Sequence, residues 1–544
     1  MLKKFWQLHS IDILWLITLL LCGLKFTQHL PGIIDYPISD EGAYLQDGLD
    51  IPLHGVKPVY WGSLYNIWYY IGSLIIPDKI MLFYAHVKFI TIGIPLLFFI
   101  LLRQIGLSPW VSFITSFLYL ISFGNLYIFH KANHTALFLM LVVLVLGYKL
   151  HQSKHFWLLA SVSILVSAFI RPELFIAFWF AIGYYIFLTI KSNGTLINKL
   201  ATVISLVLIT IYLSTLMFGH ETRSFYTFQQ NFSANWVQWN QIDLDPDQNS
   251  VLIFKTAFGD VNSISEAIMS NPSLFIKNCG WNIWGFGENY LKLGFTHFNI
   301  LLPATERAYT LWEALLLLLP MIALGWIYHP KTSSLKKVIS ENSSWLLFSA
   351  MLLIPSLAIN ILFFPRFNFI VLPIFLTFLL TPLLIFKNIK WSPPKLSAIA
   401  IAILFFVFVP VPGKGDNWYF APLKKNNNFD KTPIKNTVEA IQQLPLKHAV
   451  VSFLAEKAIY QYTDKLINGA YSFHQGIRIN EFIDENNIGL FVISDVLLTN
   501  NMVNEITGFN ALLQDPEQFH FRKISIENSS NYLLVRTDEL NESN

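Results

Sequence analysis

Of 544 residues, 54% are hydrophobic and only 13% charged, about half the charged share of an ordinary soluble domain. The 37 Lys and Arg set against 34 Asp and Glu leave a net charge of +3 with no basic cluster, so the pattern gives nucleic acid no footprint. Two cysteines, Cys22 in an apolar run and Cys279 in a loop, make no disulfide framework, and the composition as a whole indicates a polytopic membrane protein.

Met1-Leu2-Lys3-Lys4 and the apolar run behind it have the outline of a signal peptide. Leu30-Pro31-Gly32 is not a small-residue cleavage site, so a retained first helix is expected. Apolar segments of spanning length, about 20 residues, fall at 11–29, 80–102, 109–129, 134–151, 155–170, 172–190, 200–219, 308–328, 345–364, 367–386 and 396–412. They predict an all-α membrane domain over 1–412 with about eleven transmembrane helices. The stretch 60–77 is rich in Trp and Tyr, residues of the membrane interface, and is expected to lie on the membrane and not to cross it. With that choice the even loops carry most of the cations, among them Lys3, Lys4, Arg103, Lys149, Lys154, Lys191, Lys199, Lys336, Lys337, Lys387 and Lys395. The positive-inside rule then puts the N-terminus in the cytoplasm, with loops 30–79 and 220–307 and the C-terminal region outside.

The loop 220–307 carries helix signals of its own. Ser263-Ile264-Ser265-Glu266 reads as a capping box and Asn271-Pro272 as a helix start. Asp243, Asp245 and Asp247 are spaced like the start of a calcium loop but lack its glycine and terminal glutamate. Past the linker Pro410-Val411-Pro412-Gly413-Lys414-Gly415 the composition becomes that of a soluble domain, over 413–544. Apolar strands near 449–453 and 489–494 alternate there with helical stretches near 433–443, 455–464 and 500–513. A hairpin over 522–536 turns at Glu527-Asn528-Ser529-Ser530, which makes a small α/β domain.

Four places carry charge where apolar helices end. Asp40-Glu41 follows the first helix directly. A carboxylate there suits a general base that takes a proton from a hydroxyl, and it equally suits capping of the helix that begins beside it. Asp35, Asp47 and Asp50 are near in sequence, which leaves a divalent cation at Asp40 and Glu41 open, although the spacing is no defined metal motif. Arg171-Pro172-Glu173 sits between two apolar helices. Its guanidinium suits a phosphate, and the competing reading is a local pair with Glu173. Arg366 stands alone in a run of Phe, Leu and Ile, at the headgroups or at a site. His130-Lys131-Ala132-Asn133-His134 has no acidic neighbour to complete a metal site, and Lys131 with His134 is better suited to a diphosphate or headgroup. No glycine-rich phosphate loop occurs, so no nucleotide site is expected.

In order and sidedness these motifs resemble the GT-C class of integral-membrane glycosyltransferases, specifically the bacterial relatives of protein O-mannosyltransferases and of the lipid A aminoarabinose transferase. Ser39-Asp40-Glu41-Gly42-Ala43-Tyr44 is similar to the class's first-loop D-E-x-x-Y pattern, and Phe169-Ile170-Arg171-Pro172-Glu173 to its R-P-E step. Arg366-Phe367 through Leu372-Pro373 resembles its R-Y…L-P signature, with Phe367 in place of Tyr. The resemblance covers residues 1 to about 412 and leaves the C-terminal domain unmatched. It implies an inverting transfer of a sugar from a polyprenyl-phosphate donor to a hydroxyl acceptor (glycan, lipid or protein) on the outer face of a bacterial inner membrane. Asp40 would be the base, with Glu41 and Tyr44 in support; Arg171, Arg366, Lys131 and His134 would hold the donor phosphate, with Glu173 supporting Arg171. Arg223 and Arg307 are further cations without motif support. A transporter or flippase would place charges at mid-membrane, and a polysaccharide ligase or polymerase would dispense with the first-loop acid. A sensor or assembly protein working through its C-terminal domain would make that acid dispensable too.

Overall fold

The computed structural model describes residues 10–32, 35, 40–59, 62–126, 131–151, 153, 155–193, 195–217, 221–242, 244, 246, 249–295, 332–387, 393–409, 432–452, 466–468, 477–498, 506–527 and 529–540. The segment 308–328 and the triplet Asp243, Asp245 and Asp247 lie outside them, as do the helix expected near 455–464 and the linker 410–415.

The chain divides into two compact units. One comprises residues 1–28, 56–65 and 87–411; the other comprises 29–55, 66–86 and 412–544. In the first lie α1 (Ser10–Phe26), α5 (Pro109–Leu120), α6 (Ala132–Leu146), α7 (Phe156–Ala168), α8 (Phe175–Lys191), α9 (Leu196–Met217), α10 (Glu221–Asn240), α11 (Ser250–Phe258), α12 (Ile264–Ser270), α13 (Pro272–Phe295), α14 (Thr332–Glu341), α15 (Ser343–Leu362), α16 (Phe367–Thr381) and α17 (Lys395–Phe408). In the second, α2 (Asp40–Leu49) precedes α18 (Pro433–Gln442), α19 (Ile479–Glu485) and α20 (Phe509–Gln514). Helices α3 (Ser63–Ile75) and α4 (Lys79–Ile105) each contribute residues to both units.

Five helices are long and apolar enough to cross a membrane: Lys79–Ile105, Pro172–Lys191, Leu196–Met217, Ser343–Leu362 and Asn368–Phe386. This is a multi-pass helical membrane protein, but the count among the described residues is five and not eleven. For four of the missing segments the difference has a local cause. Helices α5, α6, α7 and α17 are apolar yet only 12, 15, 13 and 14 residues long. Their hydropathy runs continue through turns that composition does not see. The run 109–129 breaks where the Ser122 hydroxyl donates to the Tyr119 carbonyl and accepts from the Asn125 amide. The run 134–151 breaks at Gly147. Helix α3, at 13 residues, rises about 20 Å, short of the hydrocarbon thickness of about 30 Å. Aromatic side chains lock α1 to α5 and α5 to α17: Trp15 stacks on Phe113 at 4.3 Å, and Phe117 meets Phe405 edge-on at 4.5 Å.

The loop 220–307 is built largely of helix. The Ser263 hydroxyl accepts from the Glu266 amide at 3.2 Å, and the Glu266 carboxylate reaches back to the Asn262 amide at 2.8 Å. The capping box therefore forms with its return bond one residue earlier than the motif has it. Asn271 caps α13 by accepting from the Leu274 amide. Helices α10 to α13 close over an aromatic core of Phe228, Phe232, Phe254 and Phe258.

The second unit carries a five-stranded mixed sheet in the order β2-β1-β3-β5-β4. Its strands are β1 (Ala449–Ser452), β2 (Leu466–Asn468), β3 (Ile488–Ile493), β4 (Phe521–Ser525) and β5 (Tyr532–Arg536). Strands β2, β1 and β3 run parallel, whereas β5 pairs antiparallel with both β3 and β4. The central strand, Ile-Gly-Leu-Phe-Val-Ile, is buried throughout, as a strand covered on both faces must be. Beside it the Glu539 carboxylate, 1% exposed, accepts from the amides of Lys447 and His448 and from His448 Nδ1 at 2.7–2.8 Å. Arg536 Nη2 lies 3.0 Å from the other nitrogen of His448. The Arg536 guanidinium also holds the Asp538 carboxyl below its ordinary range through their hydrogen bond. Gly489 lies against this cluster: a Cβ there would come within 2.7 Å of His448 Cβ and closer still to the Glu539 carboxylate. We expect Gly489→Ala to destabilise the sheet by about 1–3 kcal/mol, read as faster amide exchange along β1 and β3 of the full chain; unaltered exchange would mean the cluster yields freely.

Helix α18 begins at Thr432, whose side chain does not cap it. The cap comes from 399 residues away in sequence: the Asp35 carboxylate accepts from the amides of Ile434 at 3.0 Å and Lys435 at 2.8 Å. Lys435 in turn donates to the Pro31 carbonyl and lies over the Tyr84 ring. Losing such a cap costs about 1 kcal/mol. Asp35→Ala should therefore speed exchange of the Ile434 and Lys435 amides several-fold, and unchanged exchange would remove Asp35 from this role.

Candidate functional site

The acidic pair opens α2, in the second unit. Asp40 is its first residue. On the face formed by positions 41, 45 and 48, Glu41 and Leu45 are buried, and this face packs on α3. Gly48 permits the close approach, because a Cβ there would sit 2.7 Å from both the Asn66 carbonyl and Tyr69 Cβ. The approach brings the Tyr69 hydroxyl onto the Glu41 carboxylate, to which it donates. Behind Tyr69, its ring centroid 5.0 Å away, is the buried imidazole of His86. Trp68 donates to His86 Nδ1 at 2.9 Å, and an indole can only donate, so Nδ1 is unprotonated and the ring is neutral. Asn66 is fully buried, and neither polar atom of its carboxamide has a hydrogen-bond partner. Tyr44, one turn beyond Glu41, is partly buried.

Thus Glu41 is a buried, hydrogen-bonded carboxylate. Asp35 is committed to the α18 cap, and Asp50 accepts from Gln46 at 2.8 Å. Among the described residues no group of three His, Cys, Asp or Glu could hold a metal ion. The divalent-cation reading gains nothing from the geometry.

The basic residues lie in the first unit, and three of the helix ends singled out by sequence meet there. Arg171 is the extended residue between α7 and the turn Pro172–Leu174. Its Nε and Nη2 both donate to Glu173 Oε1 at 2.7 Å, so the local ion pair forms. Its guanidinium also lies 5.1 Å from the centre of the Phe369 ring, in the first turn of α16. Arg366 begins α16 and is exposed; it donates to Asn231 Oδ1 at 2.8 Å. Helix α13 holds the step before it. Asn282 donates to the carbonyls of Ile361 and Phe363, and Asn289 to that of Pro365, at 2.7–3.0 Å. The mid-chain segment is therefore what positions Arg366.

Lys131 and His134, expected at a donor phosphate, are turned inward. Both are fully buried. Lys131 Nζ donates to the Asn125 carbonyl at 2.7 Å, and His134 Nε2 bonds the Gly124 carbonyl at 2.7 Å. These side chains satisfy the carbonyls left open where the preceding turn ends, and a phosphate would have to displace those bonds. His130 lies outside the described residues, as do the side chains of Asp40 and Arg223; Arg307 lies outside them altogether.

Sequence reasoning missed the amides and hydroxyls around these cations. Asn133, two residues from Lys131, donates to the Asn368 carbonyl. Asn133, Ser167, Glu173, Ser356, Asn368 and Phe369 line one small cavity at the meeting of α6, α7, α15 and α16. A single Asn in the Phe367-Asn368-Phe369 run was the only signal. The first unit thus gathers Arg171, Glu173 and the start of α16 at one place, while Asp40, Glu41 and Tyr44 belong to the other unit. No family model matches the chain, and no curated protein is similar to it.

Proposed function

We propose that this protein is a membrane glycosyltransferase that moves a sugar from a polyprenyl-phosphate donor to a hydroxyl acceptor on the extracytoplasmic face of a bacterial inner membrane, within a GT-C-like domain of more spans than the five described. The observation that carries the reading is the gathering of residues from four separate apolar helices. Glu173, Asn133 and Asn368 share one cavity, and Arg171 holds both Glu173 and the Phe369 ring beside it. Charged and polar groups placed together at helix ends are costly near a bilayer and are kept for function. Their chemistry suits a lipid phosphate leaving as a sugar carbon is attacked: fixed guanidinium groups stabilise the charge that develops on the leaving oxygen. Asp40 is the base for the acceptor hydroxyl. The phosphate is assigned to Arg171 and Arg366 only, since Lys131 and His134 are engaged with backbone carbonyls.

The test is transfer itself. Membranes containing the protein are supplied with polyprenyl-phosphate hexoses labelled in the sugar, alongside membranes lacking it. Label appearing in a non-lipid or new lipid product only when the protein is present supports the reading. No such product with any donor, combined with protein-dependent movement of the intact lipid across the bilayer, would favour a flippase instead.

A further inference from the structure

Helix α18 holds two parts of the second unit together. On the side of the sheet, Asn531, which precedes β5, donates to the Thr437 hydroxyl at 3.5 Å, and that hydroxyl gives its own proton to the Pro433 carbonyl at 2.7 Å. Ile434, Val438 and Ile441 are buried along the same helix. Toward the chain ahead of α2, the Asp35 carboxylate takes one α18 amide on each oxygen, that of Ile434 on Oδ2 and that of Lys435 on Oδ1. A carboxylate held through both oxygens at a helix N-terminus is fixed in place and in plane, where a single bond would let it swing. Lys435 adds a second tie, to the Pro31 carbonyl at 3.2 Å, and its ammonium lies 5.9 Å from the centre of the Tyr84 ring and 3.8 Å from Glu439. Pro31 and Asp35 precede α2 and Tyr84 follows α3, so these contacts bracket the two helices in sequence.

Asp40 stands five residues after Asp35, a reach of about 17 Å at full extension. Helix α2 in turn rests on α3 through Gly48 and the bond from Tyr69 to Glu41. The start of α2 is therefore tied ahead by the C-terminal domain and behind by α3. We propose that the C-terminal domain is the positioning element of the first-loop acid: through α18 it clamps the chain just ahead of α2, with Asp35 and Lys435 as positioning residues for Asp40. The clamp on α2 is read from these contacts alone; that it serves a base rests on the glycosyl-transfer reading. Positioning matters at this scale, since a misplacement of about 1 Å can slow a reaction about 10²-fold. Arg171 and Arg366 belong to the first unit, so donor binding is expected to be independent of the clamp.

The experiment pairs amide exchange of the purified full chain with sugar transfer per bound donor, using undecaprenyl-phosphate hexose. Asp35→Ala should speed exchange along α2 several-fold, leave donor affinity unchanged and lower transfer about 10- to 100-fold. Asp35→Asn, which keeps an acceptor for the α18 amides, should recover most of that loss. In an Asp40→Asn background the same Asp35→Ala change should lower transfer less than about twofold further, because a positioning residue acts only through the group it positions. An equal loss in both backgrounds, or α2 exchange as in the wild type, overturns the proposal. Exchange along β1 and β3 reports whether the sheet has stayed folded. Where Asp35→Ala disturbs it, Lys435→Met, which leaves the Asp35 cap in place, decides by the same readouts with effects of a few-fold. Faster α2 exchange in a protein whose wild type transfers no sugar supports the clamp and sinks the glycosyltransferase reading. Transfer by a protein whose α2 exchange is indifferent to Asp35 does the reverse.

Discussion

Asp40→Asn is expected to lower sugar transfer by about 10²–10⁴-fold, the usual range for a lost general base, while the lipid donor still binds. Asn keeps the size and one acceptor oxygen of Asp but cannot take a proton from the incoming hydroxyl. The neighbouring acid gives the control. Glu41 is 1% exposed and receives the Tyr69 hydroxyl. Glu41→Gln leaves an oxygen for that bond and should reduce transfer far less than Asp40→Asn. The two rates are compared in membranes at matched protein level. Transfer unaffected by Asp40→Asn would take Asp40 out of the mechanism and move the chemistry to a ligase-like site around Arg171 and Arg366. A larger loss from Glu41→Gln than from Asp40→Asn would exchange the roles of the two acids.

How much of this was legible beforehand depends on the range of the interaction. Signals that act within one turn read correctly. The Ser263 and Asn271 caps, the break at Arg171-Pro172 and the hairpin through Glu527 all formed where local chemistry puts them. Helix α19 and strand β2 went unread, being short segments that the sheet as a whole holds in place. Facing was not legible either. Lys131 and His134 look like surface cations in a string of letters, and only the turn at Gly124 and Asn125 shows that their heads are needed inside. Nor was Asp35 recognisable as a helix cap, because its partner is some four hundred residues further on. The cavity stayed hidden for a third reason. Asn133, Ser167, Ser356 and Asn368 are uncharged, isolated and ordinary in apolar helices, and they become a group only when four helices meet.

Arg103→Met is expected to be among the most damaging single changes in the membrane unit, at about 3–5 kcal/mol. Sequence reading places Arg103 among the inner cations that set topology. Its side chain instead runs back to α1, where Nε donates to Asp12 Oδ1 at 2.7 Å and Nη2 to Oδ2 at 3.4 Å. Nη1 donates to the Leu107 carbonyl, just past the end of α4. Asp12 lies in the first turn of α1 and is 1% exposed, and Arg103 lies in the last turn of α4, so each charge also complements its own helix dipole. Removing the guanidinium takes a bidentate charged partner from a buried carboxylate, which costs more than the net worth of the pair. It follows that the damage should be largely reversible: Asp12→Leu combined with Arg103→Met removes both charges and should recover most of the lost stability. The measurement is the melting temperature of the purified protein in detergent for the wild type, both single variants and the double. A double variant as unstable as Arg103→Met alone would mean that the Leu107 contact, and not the burial of Asp12, is what Arg103 secures. An Arg103→Met protein that melts with the wild type would show Asp12 finding water or another donor, and the pair would then count for no more than a surface bridge.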